Sequence, residues 1–171
     1  MDLTFRKVDL RAALEIVSWE YPPPYDIYGF HSSALALAVL VDEPYIAAFA
    51  DRQVVGFFCF GQAAQVTSKR KHLLYQAEEY LDVGLGMHPA WCGRGLGLNF
   101  LHSGLLYAKS YDWQGGFRLT VAANNVRAIK VYGRLGFREA GRIAPDSETG
   151  PGFVVMTLDT VGPTLSTSPA G

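Results

Sequence analysis

Three glycines in one short turn set the first chemistry this chain offers. Gly93, Gly95 and Gly97 lie within Pro89-Ala90-Trp91-Cys92-Gly93-Arg94-Gly95-Leu96-Gly97. Before the turn, Tyr80 to His88 reads as an extended segment. After it, Leu98, Leu101, Leu105 and Ala108 recur at helical spacing as far as Lys109. A strand, turn and helix in that order aim several backbone N–H groups at one point, on the positive end of a helix dipole. Glycine removes the side chains that would keep a pyrophosphate away. Two common phosphate loops do not fit. No G-x-x-x-x-G-K-[ST] run is present, and Gly95-Leu96-Gly97-Leu98-Asn99-Phe100 ends in Phe where a dinucleotide loop needs a small residue.

The pattern that remains is [QR]-x-x-G-x-[GA] after a strand ending V-x-P. Cys92-Gly93-Arg94-Gly95-Leu96-Gly97, behind Met87-His88-Pro89, resembles it, with Cys92 in place of the usual Gln or Arg. That pattern is the acyl-CoA loop of the GNAT superfamily of N-acetyltransferases. A second segment, Leu119 to Phe137, is similar to the family's L-x-V-x-x-x-N-x-x-A-x-x-x-Y-x-x-x-G-F. Asn125, Ala128, Tyr132, Gly136 and Phe137 take their expected places. The resemblance covers about residues 80 to 138, with both motifs in order. It implies the α/β (α+β) GNAT fold, a mixed central β-sheet in which two parallel strands splay and the cofactor lies in the gap. It also implies an acetyl-CoA-dependent N-acetyltransferase acting on a primary amine. A non-catalytic acyl-CoA-binding module on the same fold is the alternative.

Acyl transfer from a thioester to an amine needs a phosphate clamp, groups that align the pantetheine, a base and an acid. The resemblance assigns cofactor contacts to Cys92, Gly93, Arg94, Gly95, Leu96 and Gly97 in the turn, to Leu85 and Met87 on the strand, and to Asn125. The N–H of Met87 would polarise the thioester carbonyl. Gly84 and Gly86 leave room there, although glycines in a strand also mark bulges. Tyr132, seven residues after Asn125, would give a proton to the leaving thiolate; the other reading is a core tyrosine. Asn125 is equally suited to capping a helix.

The base has no obvious owner. The family's usual position, six before Met87, holds Leu81, and the glutamate that some relatives carry twelve before the tyrosine is replaced by Thr120. Asp82 and Glu79 are the nearest carboxylates. Asp82 lies in an apolar strand, so it either meets a cation or faces the cleft as base or ammonium anchor. A base relayed by water is the further alternative. Tyr25, Tyr28 and Glu79 are the expected acceptor contacts, in a region where Trp19 and Tyr21 add aromatic surface beside Glu20 and Asp26, suited to a cationic amine by cation–π contact and charge. The acceptor is a small-molecule amine, a peptide N-terminus or a lysine. His88 reads as a surface or phosphate-flanking residue.

Around this site, Leu3 to Arg6 reads as a strand. Asp9 caps a helix to about Ser18, with Ala13, Leu14 and Val17 inward. Pro22, Pro23 and Pro24 exclude a helix between Trp19 and Tyr28. His31 to Leu40 reads as a helix. Tyr45 to Ala50 and Val54 to Gly61 form a hairpin, and residues 62 to 78 a loop. Phe117 to Ala122 and Phe153 to Leu158 are strands. Two helices are expected to cover the sheet. The 171 residues suit one domain, over 1–160, with a flexible tail from 161 to 171.

Hydrophobic residues make 49% of the chain and charged ones 18%, which excludes global disorder. A net charge of −1 gives no basis for nucleic-acid binding, and Lys69-Arg70-Lys71-His72 reads as a solvated loop. Two cysteines make no disulfide framework, and the N-terminus shows no signal segment, so a cytoplasmic protein is expected. The longest apolar run, Ala34 to Val41, is too short for a membrane span. No His, Cys, Asp and Glu grouping has metal spacing, so no metal is expected. Oligomeric state is not legible in the sequence; the resemblance admits a homodimer, since dimers are frequent in families like this.

Overall fold

The computed structural model describes residues 2–66, 72–145 and 150–159. Lys69, Arg70 and Lys71 and the tail from 161 lie outside the described residues. The strands are β1 (Thr4–Lys7), β2 (Tyr45–Ala50), β3 (Gln53–Phe60), β4 (Tyr80–Met87), β5 (Gly116–Ala122), β6 (Arg138–Ile143) and β7 (Phe153–Leu158). The helices are α1 (Leu10–Val17), α2 (Ala34–Asp42), α3 (Gly97–Lys109) and α4 (Val126–Arg134). The strands form one mixed sheet in the order β1-β2-β3-β4-β5-β7-β6. Its parallel pair is β4 with β5, reached through the crossover helix α3.

Local chemistry sets most of these boundaries. The Asp9 carboxylate accepts from the Ala12 N–H, and the Ser33 hydroxyl accepts from the Ala36 N–H, so both helix starts are capped. Gly136, at φ +102°, ends the turn after α4 in a conformation that favours glycine. α1 turns Ala12, Ala13, Ile16 and Val17 inward, whereas Leu14, expected inward, is half exposed. The expected helix over 31–40 begins and ends slightly later, at Ala34 and Asp42.

Two cores sandwich the sheet. On one face Phe100, Leu101 and Leu105 of α3 and Tyr132 of α4 pack with Phe58, Phe117 and Leu119 of the sheet. On the other, α1 and α2 cover Tyr45, Phe49, Phe57 and Cys59. Among the described residues four α-helices flank the sheet, where two were expected to cover it, and β6 is a strand the sequence reading did not anticipate. Arg138, Glu139 and Ala140 are exposed, so this edge strand lacks the apolar alternation that announces a strand.

Candidate active site

The site begins where two strands part. β4 and β5 are paired from Tyr80 with Gly116 to Val83 with Leu119, and the pairing stops there. Both strands continue, β4 to Met87 and β5 to Ala122, so a wedge opens between them. On its other side β4 stays paired with β3 from Val83 to Met87, with no break in register. The bulge reading of Gly84 and Gly86 is therefore corrected. Each glycine lies close against a side chain of β3. A Cβ on Gly84 would come 2.6 Å from Cys59 Sγ, and one on Gly86 would come 2.4 Å from the Phe57 ring.

Ladder geometry then decides which backbone groups face the wedge. The N–H of His88 donates to the carbonyl of Val55 at 2.9 Å. In an antiparallel pair the residues bonded to a neighbour alternate with residues that point away. Counting back from His88, Gly86 and Gly84 face β3, whereas Leu85 and Met87 present N–H and C=O to the open side. These are the two strand positions expected to meet the cofactor.

At the exit of β4 sits the turn. Gly93 and Gly95 have φ of +75° and +76°, a region L side chains adopt at a cost, and nothing stands within 4 Å of where their Cβ atoms would be. Gly97 opens α3, where a Cβ would lie 3.4 Å from Val131 of α4. The turn is exposed, with its glycines lining a cleft of about 470 Å³ that runs into the wedge. Leu85, Met87, Cys92, Asn125 and Tyr132 also line it. The side chains of Arg94 and Leu96 do not, although both lie within the turn.

α4 supplies the opposite wall. Asn125 caps it, its Oδ1 accepting from the Ala128 N–H at 3.1 Å, while its Nδ2 donates to the Tyr28 hydroxyl at 3.1 Å. The cap and the cleft contact are thus one residue's two ends. Tyr132 is 8% exposed and lines the cleft, and burial pushes its phenol well above the ordinary tyrosine value. The residue is both core-packed, against Phe137, and open to the cleft.

The segment after α1 closes the cleft. The Tyr21 hydroxyl donates to the Met87 carbonyl at 2.9 Å, and the Cys92 thiol approaches the same carbonyl at 3.6 Å. The Tyr25 ring lies under the Arg127 guanidinium, 4.3 Å from its centroid. Tyr21, Tyr25 and Tyr28 all line the cleft. Burial raises the phenols of Tyr21 and Tyr28 and the Cys92 thiol, with Arg127 opposing each. Trp19 is buried against Phe57 and His88 and serves the core. The His88 imidazole accepts from the Ala90 N–H, holding the strand's exit into the turn.

Two expected residues are elsewhere. Asp82 is 4% exposed and takes the ion-pair reading. Its Oδ1 accepts from Arg118 Nε at 2.6 Å, and its Oδ2 accepts from Arg118 Nη2 and Gln65 Nε2, each at 2.7 Å. A carboxylate with both oxygens so engaged, outside the cleft lining, is not placed to take a proton from an amine there. Glu79 is exposed at the turn before β4, at the strand end away from the wedge, and its carbonyl accepts from the Gly116 N–H. Neither Glu79 nor Asp82 lines the cleft. Thr120 does line it, and its hydroxyl lies 2.9 Å from that of Tyr75.

Sequence reasoning did not single out Arg127, Lys130 and Arg134, which also line the cleft. The signal was present: with Val131 they recur at intervals of three and four, on one helix face. Among the described residues no group of three or more His, Cys, Asp or Glu could hold a metal ion, and no helix is long and apolar enough to cross a membrane.

The splayed parallel pair, the glycine turn and the tyrosine helix agree with the comparisons. The sequence profile of the acetyltransferase (GNAT) family matches residues 10–137, so the chain belongs to that family. No curated protein matches it. Among solved structures, yncA of Salmonella typhimurium, solved with acetyl-CoA, is 17% identical over 92% of this chain and 93% of its own, with a TM-score of 0.59. The ribosomal-protein-S5-alanine acetyltransferase of Vibrio fischeri is 12% identical over 94% and 96%, with a TM-score of 0.61. RimJ of Mycobacterium smegmatis, in complex with CoA-disulfide, is 16% identical over 92% and 81%, at 0.63. At these identities the likeness is one of fold.

Proposed function

We propose that this chain is an N-acetyltransferase that moves the acetyl group of acetyl-CoA to a primary amine. The observation that carries the reading is the wedge itself. The outward-facing N–H and C=O groups of Leu85 and Met87, a positive-φ glycine turn and Tyr132 all border one cleft. Acetyl-CoA would supply an acyl group activated as a thioester. The turn from Gly93 to Gly97, at the N-terminus of α3, would hold its pyrophosphate. The edge at Leu85 and Met87 would align the pantetheine arm, with the Met87 N–H donating to the acyl oxygen. Tyr132, kept protonated by burial, would donate to the departing sulfur. Among the described residues lining the cleft there is no Asp, Glu or His, so the amine would lose its proton through water.

That last feature also supports a second reading, in which the cleft binds an acyl-CoA without transferring the acyl group. One experiment separates them. Calorimetry with acetyl-CoA should show one site per chain, and release of free thiol should then depend on the amine added. Binding without release from any amine in a broad panel would favour the binding module. Absence of binding would remove both readings.

A further inference from the structure

The charges of the cleft and their placement name a class of acceptor. Among the described residues that line it, the charged ones are Arg127, Lys130 and Arg134, and none is acidic. The carboxylates that would have suited a cationic acceptor, Asp82, Glu79, Glu20 and Asp26, do not line it. The three cations also divide by position. Val131 is the side chain nearest Gly97, so Lys130 and Arg134, one residue before and three after it, flank the phosphate turn. Arg127 lies a full turn of helix nearer the N-terminus of α4, about 4.5 Å along the axis from Lys130 and about 10.5 Å from Arg134. There its guanidinium rests on the Tyr25 ring, in the wall formed by the segment after α1. No carboxylate among the described residues pairs with it. The guanidinium also meets the Cys92 thiol of the turn, and its five N–H donors leave others to reach a carboxylate.

We infer that Arg127 receives the carboxylate of the acceptor, and that the acceptor is a small amino acid-like amine rather than a polyamine. A polycation would meet three like charges in this cleft and no compensating acid among the described residues that line it. An amine that carries a carboxylate meets one fixed partner, beside aromatic rings that can cover its apolar portion. Lys130 and Arg134 are left for the phosphates of the cofactor. The inference rests on the transferase reading above and specifies its second substrate.

The test uses matched acceptors. Thiol release from acetyl-CoA is measured with α-, β- and ω-amino acids, with the corresponding amides, and with spermidine. At least one acid should exceed its amide by about tenfold or more in kcat/KM, the scale of one charge-assisted pair. Arg127→Gln should abolish that preference through the acceptor KM and leave acetyl-CoA affinity within about twofold, and Arg127→Lys should restore part of it. Lys130→Gln should do the reverse, weakening acetyl-CoA and preserving the acid-to-amide ratio. Amides or spermidine used as well as the acids would overturn the inference and leave the transferase standing. So would loss of acetyl-CoA affinity in Arg127→Gln with the acid preference intact. Acetyl-CoA binding without release from any acceptor would overturn the inference and the transferase reading together.

Discussion

Tyr132 is placed to serve packing and, in the proposed transfer, chemistry as well. Its ring is buried beside Phe137 on α4, while its edge lines the cleft. Because burial raises its phenol above 10.0, the proton is present throughout the neutral range. An acid of this kind loses function only when pH rises through its raised value. The kcat profile should therefore show no tyrosine limb below about pH 10. Tyr132→Phe should lower kcat by about 10²-fold or more while acetyl-CoA affinity by calorimetry changes little. The two cysteines give a second residue-scale outcome. Cys59 is buried, and its thiol is pushed up to about 12, whereas Cys92 lines the cleft. A thiol reagent at pH 8 should label Cys92 first, more slowly when acetyl-CoA is present, and Cys59 only in denaturant. The folded value of Cys59 lies above its ordinary 9.0. Its contribution to stability is thus complete below pH 9 and is lost as pH rises towards about 12.

At the scale of elements, close approach decides where glycine is required. Gly104 on α3 lies over Phe58 of β3, and a Cβ there would fall 2.3 Å from the ring. Gly104→Ala should cost about 1–3 kcal/mol by overpacking, which is roughly 2–12 °C in Tm for a chain of this size. Gly93 and Gly95 are required for a different reason, since nothing crowds them and only their φ is demanding. The turn, the strand before it, the helix after it and α4 are all legible from residue spacing, because their signals are local. The tyrosine contacts are not. Tyr21 with Met87 spans 66 residues and Tyr28 with Asn125 spans 97, and no local pattern encodes such pairs. Asp82 shows the same limit. An acidic residue in an apolar strand announces a cost, but its partner, Arg118, lies on the neighbouring strand. The two are register partners, so the pair becomes visible only once β4 and β5 are aligned. Asp82→Asn should lower stability by about 3–5 kcal/mol, because it leaves Arg118 buried without its counter-charge. Thermal unfolding reads that loss, and kcat per folded molecule should stay near the parent value.

At the scale of the whole molecule, the sheet is two antiparallel halves. β1 to β4 form one, and β5, β7 and β6 form the other. They meet along the β4–β5 ladder, four residue pairs long, with the Asp82–Arg118 ion pair at its third step. Beyond that ladder the halves are bridged by side chains. The segment after α1 reaches Met87 on one lip and Asn125 and Arg127 on the other. A short ladder makes this seam the mechanically weak line of the fold, and the cleft lies directly along it. Any ligand that touches both lips therefore acts as a cross-link, and its binding energy becomes cohesion between the halves. At 100 times Kd, acetyl-CoA should add about 2.7 kcal/mol to stability. Hydrogen exchange should slow most at the β4 and β5 amides nearest the point where the ladder ends.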